Sequence, residues 1–171
     1  MISSLSVIGL QGLKIQTSGI ERLIAVYGND YHIYNSSLDQ WDGQGQPVTN
    51  TNRVRSDVFL DKAFFVNGWY LTGTTATAGQ DTRRYDGTNW TNEMTRKKLP
   101  LSKYIKTVGN RIYLAKLYFK LTSVVKPSMV WYCDLPENND ITWGFEEGTN
   151  LNGTLGSPVV SSTDLSVFFK S

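Results

Sequence analysis

A chain of 171 residues with 40% hydrophobic and 19% charged side chains has the balance of a globular protein and the length to bury one respectable core. Seventeen basic against fifteen acidic residues leave a net charge of only +2, which excludes a strong field for steering nucleic acid, so no specific nucleic-acid partner is expected. The lone cysteine, Cys133, excludes a disulfide within the chain and a cysteine-based metal cluster, and neither metal nor cofactor is expected.

The opening "MISSLSVIGLQGLKIQ" is mildly apolar but has no basic leading region, and Gln11 and Lys14 interrupt it. It reads as folded chain rather than a signal peptide or a membrane span, with no membrane partner. "RLIAVYGNDYHIYN" follows as a hairpin, with an apolar run from Leu23 to Tyr27, turn residues Gly28, Asn29 and Asp30, and a second run from Tyr31 to Tyr34. "YNSSLDQW" then joins a tyrosine and a tryptophan through a polar turn. "KAFFVNGWYLTG" reads as a second hairpin turning at Asn67 and Gly68, and "TGTTATAGQDT" as a polar connection on one rim. "YDGTNW" repeats the Tyr-turn-Trp phrase, "SKYIKTVGNRIYLAKLY" is a third hairpin turning at Gly109 and Asn110, and "YCDLPENNDITW" gives the phrase a third time. The closing "SPVVSSTDLSVFFKS" reads as an amphipathic β segment.

The turn glycines 28, 68 and 109 stand 40 and 41 residues apart (68 − 28 and 109 − 68), and the tryptophans 41, 90 and 143 stand 49 and 53 apart (90 − 41 and 143 − 90). A period of about 40–50 residues carrying three or four strands is the signature of a propeller blade. The expected fold is therefore all-β, a β-propeller or partial propeller of about three to four antiparallel blades, forming a single domain over residues 1–171. Closed propellers need roughly four to eight blades, so the chain is expected to be part of a larger polypeptide or to be completed by oligomerisation. The aromatic phrase is assigned to blade packing through Tyr34 and Trp41, Tyr85 and Trp90, and Tyr132 and Trp143, whose rings supply buried area while their polar tips stay near the loops.

No residue set carries catalysis. His32 is the only histidine and sits inside a strand pattern, without the second imidazole or thiolate that a zinc site recruits. Asp57, Asp61, Asp81, Asp86, Asp134, Asp140, Glu146 and Glu147 could supply a glycosidase pair, but most of them occupy turns, where an Asp bonds its own backbone. The basic runs "RVR", "RR" and "TRKK" are spread along the chain as edge charges. Trp69, Trp131, Arg96 and Lys97 are the candidate rim contacts to a glycan or a partner. The chain reads as no enzyme.

"YNSSLDQW" resembles the Tyr-Asp…Trp segment of a kelch blade, and "VGNRIYLAKLYFKLTSVVKPSMVWYCDLPENNDITWGFEEGTNL" is similar to the propeller-type structural proteins of tailed bacteriophage virions. That resemblance implies a non-enzymatic virion structural or assembly module, a head-tail or tail protein. It would be made in the bacterial host cytoplasm and incorporated in the virion. Its implied partners are other virion proteins or copies of itself, acting through protein–protein contacts. The alternatives are a glycan-binding propeller module of a phage tail, meeting a surface glycan, and a glycan-degrading enzyme on the same fold.

Overall fold

The computed structural model describes residues 6–48, 53–72, 75–78, 81–93, 101–119 and 124–133. Every element among them is a strand, and all pairing is antiparallel, so the all-β class is observed. The first sheet is a meander of β1 (Gly9–Lys14), β2 (Glu21–Tyr27), β3 (Asp30–Asn35) and β4 (Gln40–Gly43), laid side by side in that order. The second consists of β5 (Arg55–Phe59), β6 (Lys62–Val66), β9 (Arg83–Tyr85) and β10 (Trp90–Asn92), again in chain order. Between β6 and β9 the chain leaves this sheet to form a separate hairpin of β7 (Trp69–Thr72) and β8 (Thr75–Ala78). The third sheet holds β11 (Leu101–Val108), β12 (Arg111–Phe119) and β13 (Val124–Tyr132).

The sheets stack face to face, and β6 shows why. Its sequence "KAFFV" is apolar on both faces, and successive side chains of a strand point to opposite sides. Ala63 and Phe65 join a core with Leu13, Ile24, Val26 and Tyr31 of the first sheet, while Phe64 and Val66 join one with Ile105, Leu114 and Trp131 of the third. A sheet of this size is marginal alone, and burying each phenylalanine contributes about 1.5–3 kcal/mol, so the second sheet is stable because both of its faces are covered.

The first strand of each sheet lies beside the first strand of the next. Val54, at the entry to β5, donates its N–H to the Ile8 carbonyl at 2.8 Å, and a Cβ on Gly9 would stand 2.9 Å from that of Val54, so only glycine permits the approach. Arg55 donates to the Lys103 carbonyl at 3.1 Å, and the Asp57 carboxylate accepts the N–H of Thr107 at 2.6 Å with Lys106 Nζ at 3.4 Å. The strands β1, β5 and β11 begin at Gly9, Arg55 and Leu101, two steps of 46 residues (55 − 9 and 101 − 55).

That spacing corrects the expected period of 40 and 41. Gly28 turns between β2 and β3, the second and third strands of its sheet, whereas Gly109 turns between β11 and β12, the first and second, so the glycines do not mark equivalent positions. The expected hairpin at Asn67 and Gly68 is also absent: β6 pairs with β5 and β9, and not with β7. Its partner is reached through Leu60 and Asp61, both at positive φ (49° and 57°), a tight turn that the sequence does not advertise. Gly68, at φ 71°, instead carries the chain out of the sheet and past the Ser102 carbonyl, 2.9 Å from where its Cβ would be. The segment read as a polar rim connection contributes β8.

The β7–β8 hairpin is fastened to the third sheet by a bulge. Between Ala115 and Leu117 the register with β13 shifts, opposite a stretch that holds Pro127, which has no N–H to give. Lys116 there takes φ 54°, and its carbonyl accepts the Trp69 indole N–H at 2.9 Å, with Lys103 Nζ 3.9 Å from the centre of the ring.

Phe64→Ala and Phe65→Ala are each expected to lower unfolding free energy by about 3–5 kcal/mol, one by emptying the core toward the third sheet and the other toward the first, as read by urea denaturation. A loss below about 1 kcal/mol at either position would mean that one face of β6 is not packed.

Candidate functional site

The Tyr-turn-Trp phrase is a cross-strand device. Tyr34 faces Trp41 across β3 and β4, and Tyr85 faces Trp90 across β9 and β10, each pair directly opposed in register. The rings touch at centroid distances of 5.4 Å and 4.7 Å. In the second sheet the pair points at the first: Trp90 lies 4.8 Å from the Tyr31 ring and 5.6 Å from Phe65, and Tyr85 is buried with its hydroxyl donating to the Gly87 carbonyl at 2.7 Å. The turn between them is held by the Asp86 carboxylate, which accepts the N–H groups of Thr88 and Asn89. Burial pushes that carboxyl up, but the two backbone donors, helped by Arg84, outweigh it and its pKa is lowered.

In the first sheet the equivalent pair has no such neighbour among the described residues. Ile24, Val26 and Tyr31 face the second sheet, so Tyr34, by alternation, lies on the far face together with Leu10, Leu23, Tyr27 and His32. Trp41 is 37% exposed and Leu10 61%. The Tyr27 ring stacks on His32 at 3.8 Å and meets Trp41 edge-on at 6.5 Å. Tyr34 donates its hydroxyl to Asp39, and that bond holds its pKa above the ordinary tyrosine value. An aromatic, mildly acidic surface results.

The third sheet departs from the expected pattern by one residue. Trp131, expected on the rim, is 2% exposed and packs against Phe64 and Leu114 in the core toward the second sheet, whereas Tyr132, expected to pack the blades, lies on the opposite face. A strand has a side-chain period of two, so a slip of one position exchanges faces. Trp69 is likewise buried, beside Leu101 and Tyr118, and offers no ring to a rim ligand. The far face of the third sheet carries Tyr104, 39% exposed, Val108, 53% exposed, and Tyr132 with the Arg111 guanidinium 4.8 Å from its ring centre. Arg111 and Lys116 make this face basic, while Lys106 is paired with Asp57 of the second sheet. Trp143, Arg96 and Lys97 lie outside the described residues.

Several carboxylates are committed to structure. Asp61 accepts the Gln16 N–H at 3.2 Å, Asp81 accepts from Asn92 at 3.0 Å, and buried Glu93 pairs with Arg84 at 3.2 Å. No group of three metal-binding side chains occurs among the described residues. A cleft of about 780 Å³ runs along the line where β1, β5 and β11 meet, bounded by Ile8, Leu10, Arg53, Arg55 and Ile105. The residues that sequence reading missed are Leu10, Leu23 and Tyr27. The signal for Leu23 and Tyr27 was present in "RLIAVY", which is apolar on both faces, as "KAFFV" is.

Two outcomes follow from these positions. Trp90→Ala is expected to cost about 3–5 kcal/mol, because it opens a cavity between two sheets, while Trp41→Ala in the single chain costs about 1 kcal/mol or less; paired denaturation curves would show it, and equal losses would contradict the placement. Tyr31 is the second case: burial drives its pKa far above 10, with Arg83 opposing and Asp30 assisting, and its hydroxyl has no partner. Above about pH 10 the native chain keeps a proton that the unfolded chain releases, so the stability held below that pH falls as pH rises. Tyr31→Phe should remove this alkaline loss and leave neutral-pH stability equal or higher, as read by denaturation at pH 7 and pH 11.

The chain matches no protein-family model, and no curated protein or solved structure is significantly similar to it.

Proposed function

We propose that this chain is a non-enzymatic assembly module: a partial β-propeller of three blades that joins neighbouring subunits through its end faces. The observation that carries the reading is the repeated step of 46 residues between sheets whose first strands run side by side, ending at both extremities in a face with exposed aromatic side chains. Radial stacking of small meanders around their first strands is what a propeller requires, and a stack left open at both ends needs something to cover it. The resemblance of the sequence to structural proteins of tailed phages supports a virion setting for this module, in a head-tail or tail position, meeting other virion proteins or its own copies. A rigid repeat scaffold loses little entropy on docking, which suits that work. The carboxylates serve backbone and ion-pair contacts that stabilise turns and junctions, which favours assembly over hydrolysis.

The test is association compared with sugar recognition. The chain is expected to form a defined multi-chain species in sedimentation velocity and to bind nothing on a glycan array, and Trp41→Asp should weaken the association at least tenfold. Reproducible binding of one sugar class, lost in Trp41→Ala, would replace this reading with that of a glycan-binding module.

A further inference from the structure

The assembly reading leaves the partner at the end faces unnamed, and the stack itself points to one. We propose that the far face of the first sheet is covered by the far face of the third sheet of a second copy, so that two chains close a ring of six sheets. This inference rests on the assembly reading and names its partner.

Polarity is the first argument. The second sheet turns its Tyr-Trp pair toward the sheet that precedes it, where Tyr31 receives Trp90. The first sheet turns its own pair, Tyr34 and Trp41, the same way, toward a preceding sheet that the described residues do not supply. Continuing the same step forward from the third sheet exposes Tyr104, Val108 and Tyr132 to whatever comes next. A head-to-tail contact repeats the two junctions already made inside the chain, whereas like-to-like contacts would require a geometry found nowhere in it.

Charge selects the same pairing. Arg111 and Lys116 supply positive charge to the third sheet's far face, Lys116 lying 5.6 Å from the Tyr104 ring centre, while Lys106 is held by Asp57 at 3.4 Å. On the first sheet's far face Asp39 stands beside Tyr34 and Trp41, and Lys14 is already neutralised by Glu21 at 2.8 Å. Two third-sheet faces would bring cations together, while third against first sets cations against a carboxylate. Number decides how many copies: propellers close with roughly four to eight blades, so two three-sheet chains fit and three chains would overshoot.

The contact has a predicted register. Inside the chain the entries of consecutive first strands meet, Ile8 with Val54 and Arg55 with Lys103. Those pairs stand 46 and 48 residues apart (54 − 8 and 103 − 55), and the same 46-residue step makes Tyr104 equivalent to position 12 of the first sheet (104 − 92), so it is set against Gly12 of the other copy. Sedimentation equilibrium of the full chain should give twice its 19.2 kDa. Gly12→Cys and Tyr104→Cys, prepared separately, should form a disulfide-linked dimer only when mixed; buried Cys133 stays in place, with the wild-type chain as its control. Gly12 is exposed with nothing within 4 Å of a Cβ there, and Tyr104, 39% exposed, lies outside the core with its ring against Arg55, so neither substitution opens a cavity. A single-chain mass, a mass of three or more chains, or Gly12→Cys linking to itself would overturn the proposal. Hydroxyl-radical labelling of Trp41 separates the two failures at single-chain mass. If Trp41 is shielded there, the chain covers its own face through residues 134–171, and only the second copy is overturned. If it labels as freely as in urea, the face is bare and the assembly reading falls as well.

Discussion

Everything in this molecule depends on apolar strand faces that no single sheet can cover. A small sheet is marginal on its own, and the described residues form three that stack, two of four strands and one of three, each with side chains suited to a neighbour. The second sheet meets this constraint completely, through Ala63 and Phe65 on one side and Phe64 and Val66 on the other. The first and third sheets meet it on one side only within the described residues. On the proposed reading stability and assembly are the same physical problem, since the contact that holds one sheet to the next inside the chain is the contact that the end sheets would offer a partner.

The polar contacts fix geometry where the apolar ones fix adhesion. Hydrophobic burial is without direction, and two greasy sheets could slide past each other. Between the second and third sheets, Asp57 receives the Thr107 N–H and Arg55 reaches the Lys103 carbonyl, while Asp61 takes the Gln16 N–H between the second and the first. Each of these bonds lies at or next to a first strand. Sliding one sheet past another would break these bonds, the part-buried Thr107 N–H losing its carboxylate partner among them, so they favour one register.

The all-β class was legible because turn residues punctuate β-branched and aromatic runs throughout, and two of three hairpins were placed correctly at Gly28 and Gly109. The third was misplaced because Leu60 and Asp61 form a positive-φ turn without Gly or Asn, while Asn67 and Gly68, which carry the usual turn chemistry, lead out of the sheet. The 40-residue spacing came from that substitution, and the underlying step of 46 lies in strand starts, which have no residue signature. The Tyr-Trp phrase forms a cross-strand pair in its first two occurrences, of which only Tyr85 and Trp90 pack against a neighbouring sheet among the described residues; adjacent Trp131 and Tyr132 could not be told apart, because a one-residue shift in a strand reverses the face and nothing local states the parity. The buried state of Trp69 was invisible for a different reason: it depends on a bulge at Lys116, 47 residues away.

The two unequal fates of one phrase carry the last step. Trp90 and Trp41 occupy the same place in successive sheets, opposite a tyrosine on the outermost hairpin, yet one is sandwiched between rings and the other meets solvent over more than a third of its surface. Intrinsic preference cannot explain the difference, since the residue, the strand position and the partner are alike. Only the neighbour differs. On the proposed assembly, a tryptophan at a position whose internal equivalent is a sheet-to-sheet contact meets a contact of the same kind, on the side from which the described residues supply no sheet.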